Sequence, residues 1–379
     1  MKVCIAGGGI GGLTAALALQ KKGIDSVLYE AKDTLRAAGA GIWMSSNSIK
    51  MMDHLGISRQ FLNIGIEMKE IVVEDGSGKI ISSISMEDVK KKHVYAIHSV
   101  KRQSLHELIS GHIESKRIVT GKKIKSVKQN NNNIILQFED GSADECDVLI
   151  GADGIRSTVR EEVNPGIPLR YSGQTCWYGL SAMTLPEERK NKTTEIWMGK
   201  LRFGFTEVNQ GQVYFFAVEK SPSGIQFQGD RSRHLLDMYK SSPSIIKSIL
   251  SHAKSEDIIK SDLYDIKPFI PLAYGRTVLI GDAGHATTPN LGQGAAQAME
   301  DGVLIAELLS KKSPEAAVKR FEIMRKKRIK HIVKTSWRMG QIAHGENFLT
   351  KNIAQSIMRM TPEAINLKMM DRILTPVFP

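Results

Sequence analysis

Cysteine is scarce: Cys4, Cys146 and Cys176 are the only three in 379 residues, and no CxxC pair is among them. Two of them sit inside apolar, strand-like runs, which argues against a disulfide framework and makes a reducing cytoplasm the expected setting. No apolar run reaches the roughly 18 residues that a membrane-spanning helix needs. The opening MKVCIAGGG leads straight into a strand without the charged, apolar and cleavage-site regions of a secretory signal. No basic cluster alternates with aromatics in a stacking arrangement, so the net charge of +12 points to attraction of small anions and away from nucleic acid. Zinc spacing, a Ser-His-Asp set and a P-loop are all missing, and the ten histidines are scattered. No metal site is expected, and His285 reads as a structural residue of its loop.

What is present is an ordinary globular composition, 41% hydrophobic and 24% charged, long enough for one large or two interleaved domains. An apolar run from Lys2 to Ala6, a helical pattern over Gly11 to Lys22 closed by Gly23, and a second apolar run from Ser26 to Tyr29 form a β-α-β unit. Gly7-x-Gly9-x-x-Gly12 lies at the turn into its helix, with Gly11 beside it. Glycines at this spacing permit the turn, a close backbone approach to pyrophosphate, and helix-on-strand packing. Glu30 ends the second strand, where a carboxylate can accept hydrogen bonds from an unphosphorylated ribose, as in FAD or NAD.

A second glycine-rich stretch, GDAGHATTPNLGQGAAQAMEDG from Gly281 to Gly302, follows another apolar strand, Thr277 to Ile280. Asp282 can hold a ribityl hydroxyl, and Gly292-Gln293-Gly294-Ala295 begins a helix whose free N–H groups favour negative charge. Plain NAD has no ribityl chain, so the two stretches together favour FAD. Between them, Lys123 to Lys128, Ile134 to Phe138 and Cys146 to Ile150 read as a three-stranded meander, and Ile71 to Ile84 as a hairpin. Residues 171 to 267 read as aromatic-bearing strands of a different character, the expected substrate-facing sheet.

Three segments in order, GGGIGG at Gly7 to Gly12, LIGADGIRSTVR at Leu149 to Arg160 and GDAGHATTPNLGQG at Gly281 to Gly294, resemble the single-component, class A FAD-dependent aromatic hydroxylases over nearly the whole chain. Within that family the sequence is similar to the urate hydroxylase, zeaxanthin epoxidase and salicylate hydroxylase group. The resemblance implies an α/β fold. A Rossmann-like FAD-binding domain of glutathione-reductase type (1–70, 96–170 and 268–312) would interleave with a mixed β-sheet substrate domain (71–95 and 171–267), and a C-terminal helical segment (313–379) would follow. It implies that Asp153, Arg102, Arg36, the strand position Ile124, and Pro289 belong to the FAD site. No second GxGxxG follows, which in this family means that NADPH or NADH docks only transiently. Reduced flavin then meets O2, and a C4a-hydroperoxide hydroxylates an aromatic or heteroaromatic small molecule.

Arg202 and Tyr214 match the positions that serve the substrate in the urate enzymes, and an arginine there can fix an anion by charge-assisted hydrogen bonds. Trp197, Phe203 and Phe216 are expected around the ring, although Leu201, Phe203 and Phe205 also alternate as a half-buried strand would. Two departures point away from urate. Asn290 follows Pro289 where the urate enzymes carry aspartate, and Tyr178 stands where the family usually has arginine. Other readings of the sequence are a polyene epoxidase, an antibiotic-modifying monooxygenase, or a flavin-binding protein without turnover.

Pro314 to Gly340 reads as a long helix with Val318, Phe321, Ile329, Ile332, Val333 and Ser336 on one face and a basic back. Packing on its own domain is expected in preference to peripheral membrane contact. Arg325 falls inside the apolar stripe, which implies a buried ion pair or bonds to carbonyls. A monomer or homodimer is expected.

Overall fold

The computed structural model describes residues 1–35, 39–130, 133–268, 271–343, 356 and 358–377. Its first layer is a six-stranded sheet ordered Ala273–Tyr274, Thr277–Leu279, Val148–Gly151, Lys2–Ala6, Asp25–Tyr29, Ile118–Val119, parallel except for the first strand. Lys2–Ala6 lies between a strand close by in sequence and one from mid-chain, so the sheet is assembled from distant segments. Val3, Cys4 and Ile5 are fully buried, as a strand covered on both faces requires.

The helix Ile10–Lys21 is buried nearly all round and packs along Gly294–Leu309. A Cβ on Gly302 would lie 2.8 Å from the backbone nitrogen of Ala15, so the small residues set how closely the two helices approach.

The meander is three antiparallel strands, Ile124–Gln129, Ile134–Phe138 and Ala143–Cys146. Its third strand differs from the expectation of Cys146 to Ile150. The run divides at Asp147, and Val148–Gly151, buried at every position, joins the parallel sheet instead. An unbroken apolar run suits an interior parallel strand, whereas Ala143–Cys146 is mostly open to solvent and suits a meander edge.

The second layer is a seven-stranded sheet ordered Ile259–Ile266, Leu169–Ser181, Gln212–Lys220, Leu201–Asn209, Lys192–Met198, Glu70–Asp75, Ile80–Ser85. The hairpin at residues 70–85 is joined to it through a parallel pairing of Glu70–Asp75 with Lys192–Met198. One face packs Phe203, Phe205 and Phe215 against residues of the helices Arg231–Met238 and Ser244–Ser251. Because side chains alternate along a strand, Arg202, Tyr214 and Phe216 project from the opposite face, toward the first layer.

The helix Pro314–Ala343 buries Val318, Phe321, Ile329, Ile332, Val333 and Ser336. Arg325, fully buried, donates through Nε to Asp301 Oδ1 at 2.6 Å and through Nη1 to Glu300 Oε2 at 2.5 Å, and its Nη2 donates to Gln297 Oε1 at 2.8 Å. Arg328 donates to both oxygens of Glu300, at 2.8 and 2.7 Å, and to the carbonyl of Ile373 at 2.7 Å, tying the C-terminal helix Glu363–Leu374 to the network. Among the described residues no helix is long and apolar enough to cross a membrane.

Burial by itself would raise the Asp301 carboxyl, but Arg325 and His285 hold it down at about 2, below its ordinary 3.8. A depressed acid contributes stability that is fully present above its unfolded value and lost as pH falls through its folded value. Asp301 is therefore expected to contribute about 2 kcal/mol that disappears between pH 3.8 and about 2. Urea midpoints across that window, for the wild type and Asp301→Asn, check this: the gap between the two proteins should close as the pH falls.

Candidate active site

Gly7 carries φ +103°, and its N–H donates to the carbonyl of Tyr29 at 2.8 Å. Its backbone passes so near the neighbouring strand that a Cβ would sit 2.5 Å from the carbonyl oxygen of Ala152. A Cβ on Gly12 would be 1.9 Å from the carbonyl oxygen of Gly7, whereas one on Gly9 would meet nothing within 4 Å. The loop is thus closed on its protein side and open at Gly9. Glu30 braces it, accepting from the N–H of Gly8 at 2.7 Å and of Lys32 at 2.9 Å.

Gly7, Gly9, Glu30, Ile124 and Asp153 line one cavity of about 360 Å3, with Arg156 and Thr158 at its side. The Asp153 carboxylate is engaged locally, accepting from Ser157 Oγ at 2.5 Å and the N–H of Val159 at 3.0 Å. Burial pushes its carboxyl above the ordinary range, against those bonds.

A second cavity, about 410 Å3, shares Gly9, Ala152 and Gly154 with the first. The two make one elongated groove. Gly11, Arg102, Asp282, Pro289, Asn290, Gly292, Gly294 and Ala295 line it from the first layer, and Arg202, Tyr214 and Phe216 from the sheet. Gly281 at φ +54° and Gly292 at φ +59° make the turns on either side of the loop. His285 Nε2 pairs with Asp301 Oδ2 at 2.6 Å, and the same oxygen accepts from the N–H of Gly281 at 2.9 Å. Asp282 opens to the groove but is otherwise enclosed by protein, and this enclosure raises its carboxyl. Enclosure likewise pushes the Tyr214 hydroxyl up.

The structure separates the remaining expected residues. Phe203 points into the core under the helices and stacks on Phe215 at 5.6 Å, so it is not at the groove. Trp197 is on the correct face but packs with Ile81 and Ala343, where its Nε1 supports Glu195 from behind. The Gln293 side chain is buried and turned away, donating to Ser45 Oγ at 2.9 Å and accepting from Asn47 at 3.0 Å. Arg36 lies outside the described residues.

Trp43 and Glu195 are among the lining residues that the sequence did not lead us to expect. Glu195 Oε1 accepts from Trp197 Nε1 at 2.8 Å and from Arg202 Nη1 at 3.0 Å, and Arg202 Nη2 donates to Asn290 Oδ1 at 2.9 Å. Asn290 in turn donates to the carbonyl of Ser336 at 3.0 Å. The signal available was a lone carboxylate between the apolar-facing Thr194 and Ile196 of the same strand.

Whether the groove fits FAD can be judged from its own atoms. Nε of Arg102 and Nε1 of Trp43 are buried and have no hydrogen-bond partner among the described residues, although both residues line the groove; such donors normally have partners. One end offers glycine backbone and a carboxylate, the other a helix start with no acidic residue in its first turn and a carboxylate. A ligand with ribose at one end, diphosphate in the middle and, at the other, a ring that takes negative charge on reduction suits such groups.

Comparison with known proteins agrees. A family described as FAD binding domain matches residues 1–336. The chain is 32% identical to the aurachin C monooxygenase/isomerase of Stigmatella aurantiaca, over 95% of this chain and 94% of that one. It is 31% identical to the FAD-dependent urate hydroxylase of Klebsiella pneumoniae over 99% of both. It is also 31% identical to the 2-heptyl-3-hydroxy-4(1H)-quinolone synthase of Pseudomonas aeruginosa, over 100% of this chain and 98% of that one. Among solved structures, Klebsiella pneumoniae HpxO complexed with FAD and uric acid has a TM-score of 0.92 at 27% identity, covering 99% of this chain and 97% of that chain. The chain therefore belongs to the FAD-binding aromatic hydroxylases, and it is an FAD-dependent monooxygenase of aromatic or heteroaromatic molecules.

Proposed function

We propose that this protein uses NADPH or NADH and O2 to hydroxylate a planar heteroaromatic ring of quinolone or purine size. The observation that carries this reading is the position of Arg202, Tyr214 and Phe216 on the sheet face directly across the groove from Asp282, Gly294 and Ala295. FAD held in the groove would supply the redox chemistry by which two electrons from the nicotinamide reduce O2, one oxygen atom going to the ring and the other to water.

The chain's own residues prepare the site. Gly294 and Ala295 at the start of their helix present unpaired N–H groups, which favour negative charge beside them. On the same side, Arg102 offers an Nε that has no partner among the described residues. Phe216 and Trp43, with ring centroids 5.9 Å apart, supply an apolar wall that excludes water from the reacting ring. A Cβ on Gly204 would lie 2.1 Å from the Phe216 ring, so the glycine makes room for that wall. Arg202, 4% exposed, is fixed on Glu195 and Asn290 and positions the ring with Tyr214. The names of two relatives, a urate hydroxylase and a quinolone synthase, support a fused heteroaromatic as the kind of ring held there.

Substrate-stimulated NAD(P)H oxidation with matched O2 uptake, and a product heavier by one oxygen, test this reading. A yellow protein that consumes neither with any fused heteroaromatic would refute it. Arg202→Ala is expected to weaken ring binding by ~10-fold or more at unchanged flavin content, read by titrating the flavin spectrum; loss of flavin instead would contradict the assignment.

A further inference from the structure

We propose that Glu195 selects the substrate by accepting a hydrogen bond from a ring N–H or O–H, so that the groove takes a neutral, donor-bearing heteroaromatic and discriminates against an anionic one. This rests on the monooxygenase reading above and names the ring chemistry that it would take.

The charges at the groove decide the matter. Among the described residues, four charged side chains line the second cavity, Arg102 and Asp282 on the cofactor side and Arg202 and Glu195 on the sheet side. Each side holds one cation and one carboxylate. An anion approaching Arg202 therefore meets the carboxylate that already occupies it, at 3.0 Å. Nη1 and Nη2 of Arg202 each already donate one bond, to Glu195 and to Asn290. Asn290 brings no charge to Arg202, whereas Glu195 pairs a carboxylate with it at the groove.

Glu195 is held for the role of acceptor. Strand register sets it opposite Gly204, beside the Phe216 ring, and Trp197 and Arg202 both bond the same oxygen, Oε1. Among the described residues no bond is recorded to Oε2, and the side chain keeps 20% of its exposure. A carboxylate fixed by one oxygen presents the other as a charged acceptor, and it loses heavily if a ligand leaves it unpaired in an enclosed site. A ring that donates to it gains electron density, and that density favours oxygen transfer to a ring carbon.

The test uses the FAD-loaded protein and the flavin spectrum as reporter. The probes are 2-heptyl-4(1H)-quinolone, its N-methyl derivative, and uric acid near neutral pH, where it is an anion. The wild type is expected to bind the N–H quinolone ~10-fold or more tighter than the N-methyl compound. Glu195→Gln removes the carboxylate charge that Glu195 pairs with Arg202. It should bind the quinolone ~10-fold more weakly and urate ~10-fold more tightly, opposite movements that general damage to the site cannot produce. Equal wild-type affinity for the two quinolones, no quinolone binding at all, or weakening of both ligands in Glu195→Gln would each overturn the proposal. Uric acid driving NAD(P)H oxidation while the quinolone does not would sink this inference and leave the monooxygenase reading intact. A protein inert toward every ring would remove both.

Discussion

Gly12→Ala is expected to come out of purification colourless, with flavin content below ~10% and a melting temperature well under that of the wild type. The added methyl would sit 1.9 Å from the carbonyl oxygen of Gly7, and neither side can give way. Gly7 is pinned by its hydrogen bond to Tyr29 and is itself 2.5 Å from contact with Ala152 if anything were added there. The helix Ile10–Lys21 cannot back off either, because Gly302 presses on it from the far side. Overpacking commonly costs 1–3 kcal/mol, and a clash between two fixed backbones exceeds the upper end, about 3 kcal/mol or more. Gly9→Ala is the informative control. Its methyl would meet no protein atom within 4 Å, so it projects into the groove. Gly9→Ala should therefore leave the melting temperature of the apoprotein unchanged and weaken only flavin binding. Visible absorbance per mole of protein and thermal melts with and without added FAD separate the two effects; equal behaviour of the two variants would show that the loop is not packed as described.

Arg325→Ala is the second large effect. It would leave Asp301 and Glu300, 0% and 1% exposed, without the cation that compensates them. Removing one partner of a buried pair costs about 3–5 kcal/mol, and Arg328 offsets this only at Glu300, since its bonds go there. Asp301 is the group abandoned. Because Asp301 also holds His285 and the N–H of Gly281, the loss should propagate to the turn that presents Asp282, and flavin affinity should fall along with the urea midpoint. Arg325→Lys restores a point charge but not the fork, and should recover part of the stability. If Arg325→Ala melted like the wild type, the network would not be what holds the two long helices together.

The cofactor groove was the most legible part of the sequence. Gly7, Gly9, Glu30, Asp282, Gly292 and Ala295 each sit at the end of a short apolar strand or the start of a helix, and the chemistry of such turns is local. The helix from 314, its apolar face and the buried role of Arg325 were legible for a similar reason: a cation inside an apolar stripe has few solutions. The substrate side was less legible. The strands Lys192–Met198, Leu201–Asn209 and Gln212–Lys220 are covered on both faces, by helices on one and by the cofactor layer on the other. The usual alternation of apolar and polar residues that tells inside from outside is therefore absent. Phe203 and Phe216 look alike in the sequence, and only the register assigns one to the core and the other to the groove. Glu195 was invisible because its partner, Arg202, is created by strand pairing and not by any spacing along the chain. The division at Asp147 was missed because two strands of different sheets run on with a single residue between them.

The order of strands in the parallel sheet has a consequence for how the protein is made. A ribosome releases Lys2–Ala6 long before the neighbours on one of its sides, Val148–Gly151 and then Thr277–Leu279. The diphosphate turn at Gly7 is thus synthesised long before the wall that completes its nest. The groove is complete only once the segment through Ala298 has emerged, so flavin capture is expected late relative to synthesis of the Gly7 turn.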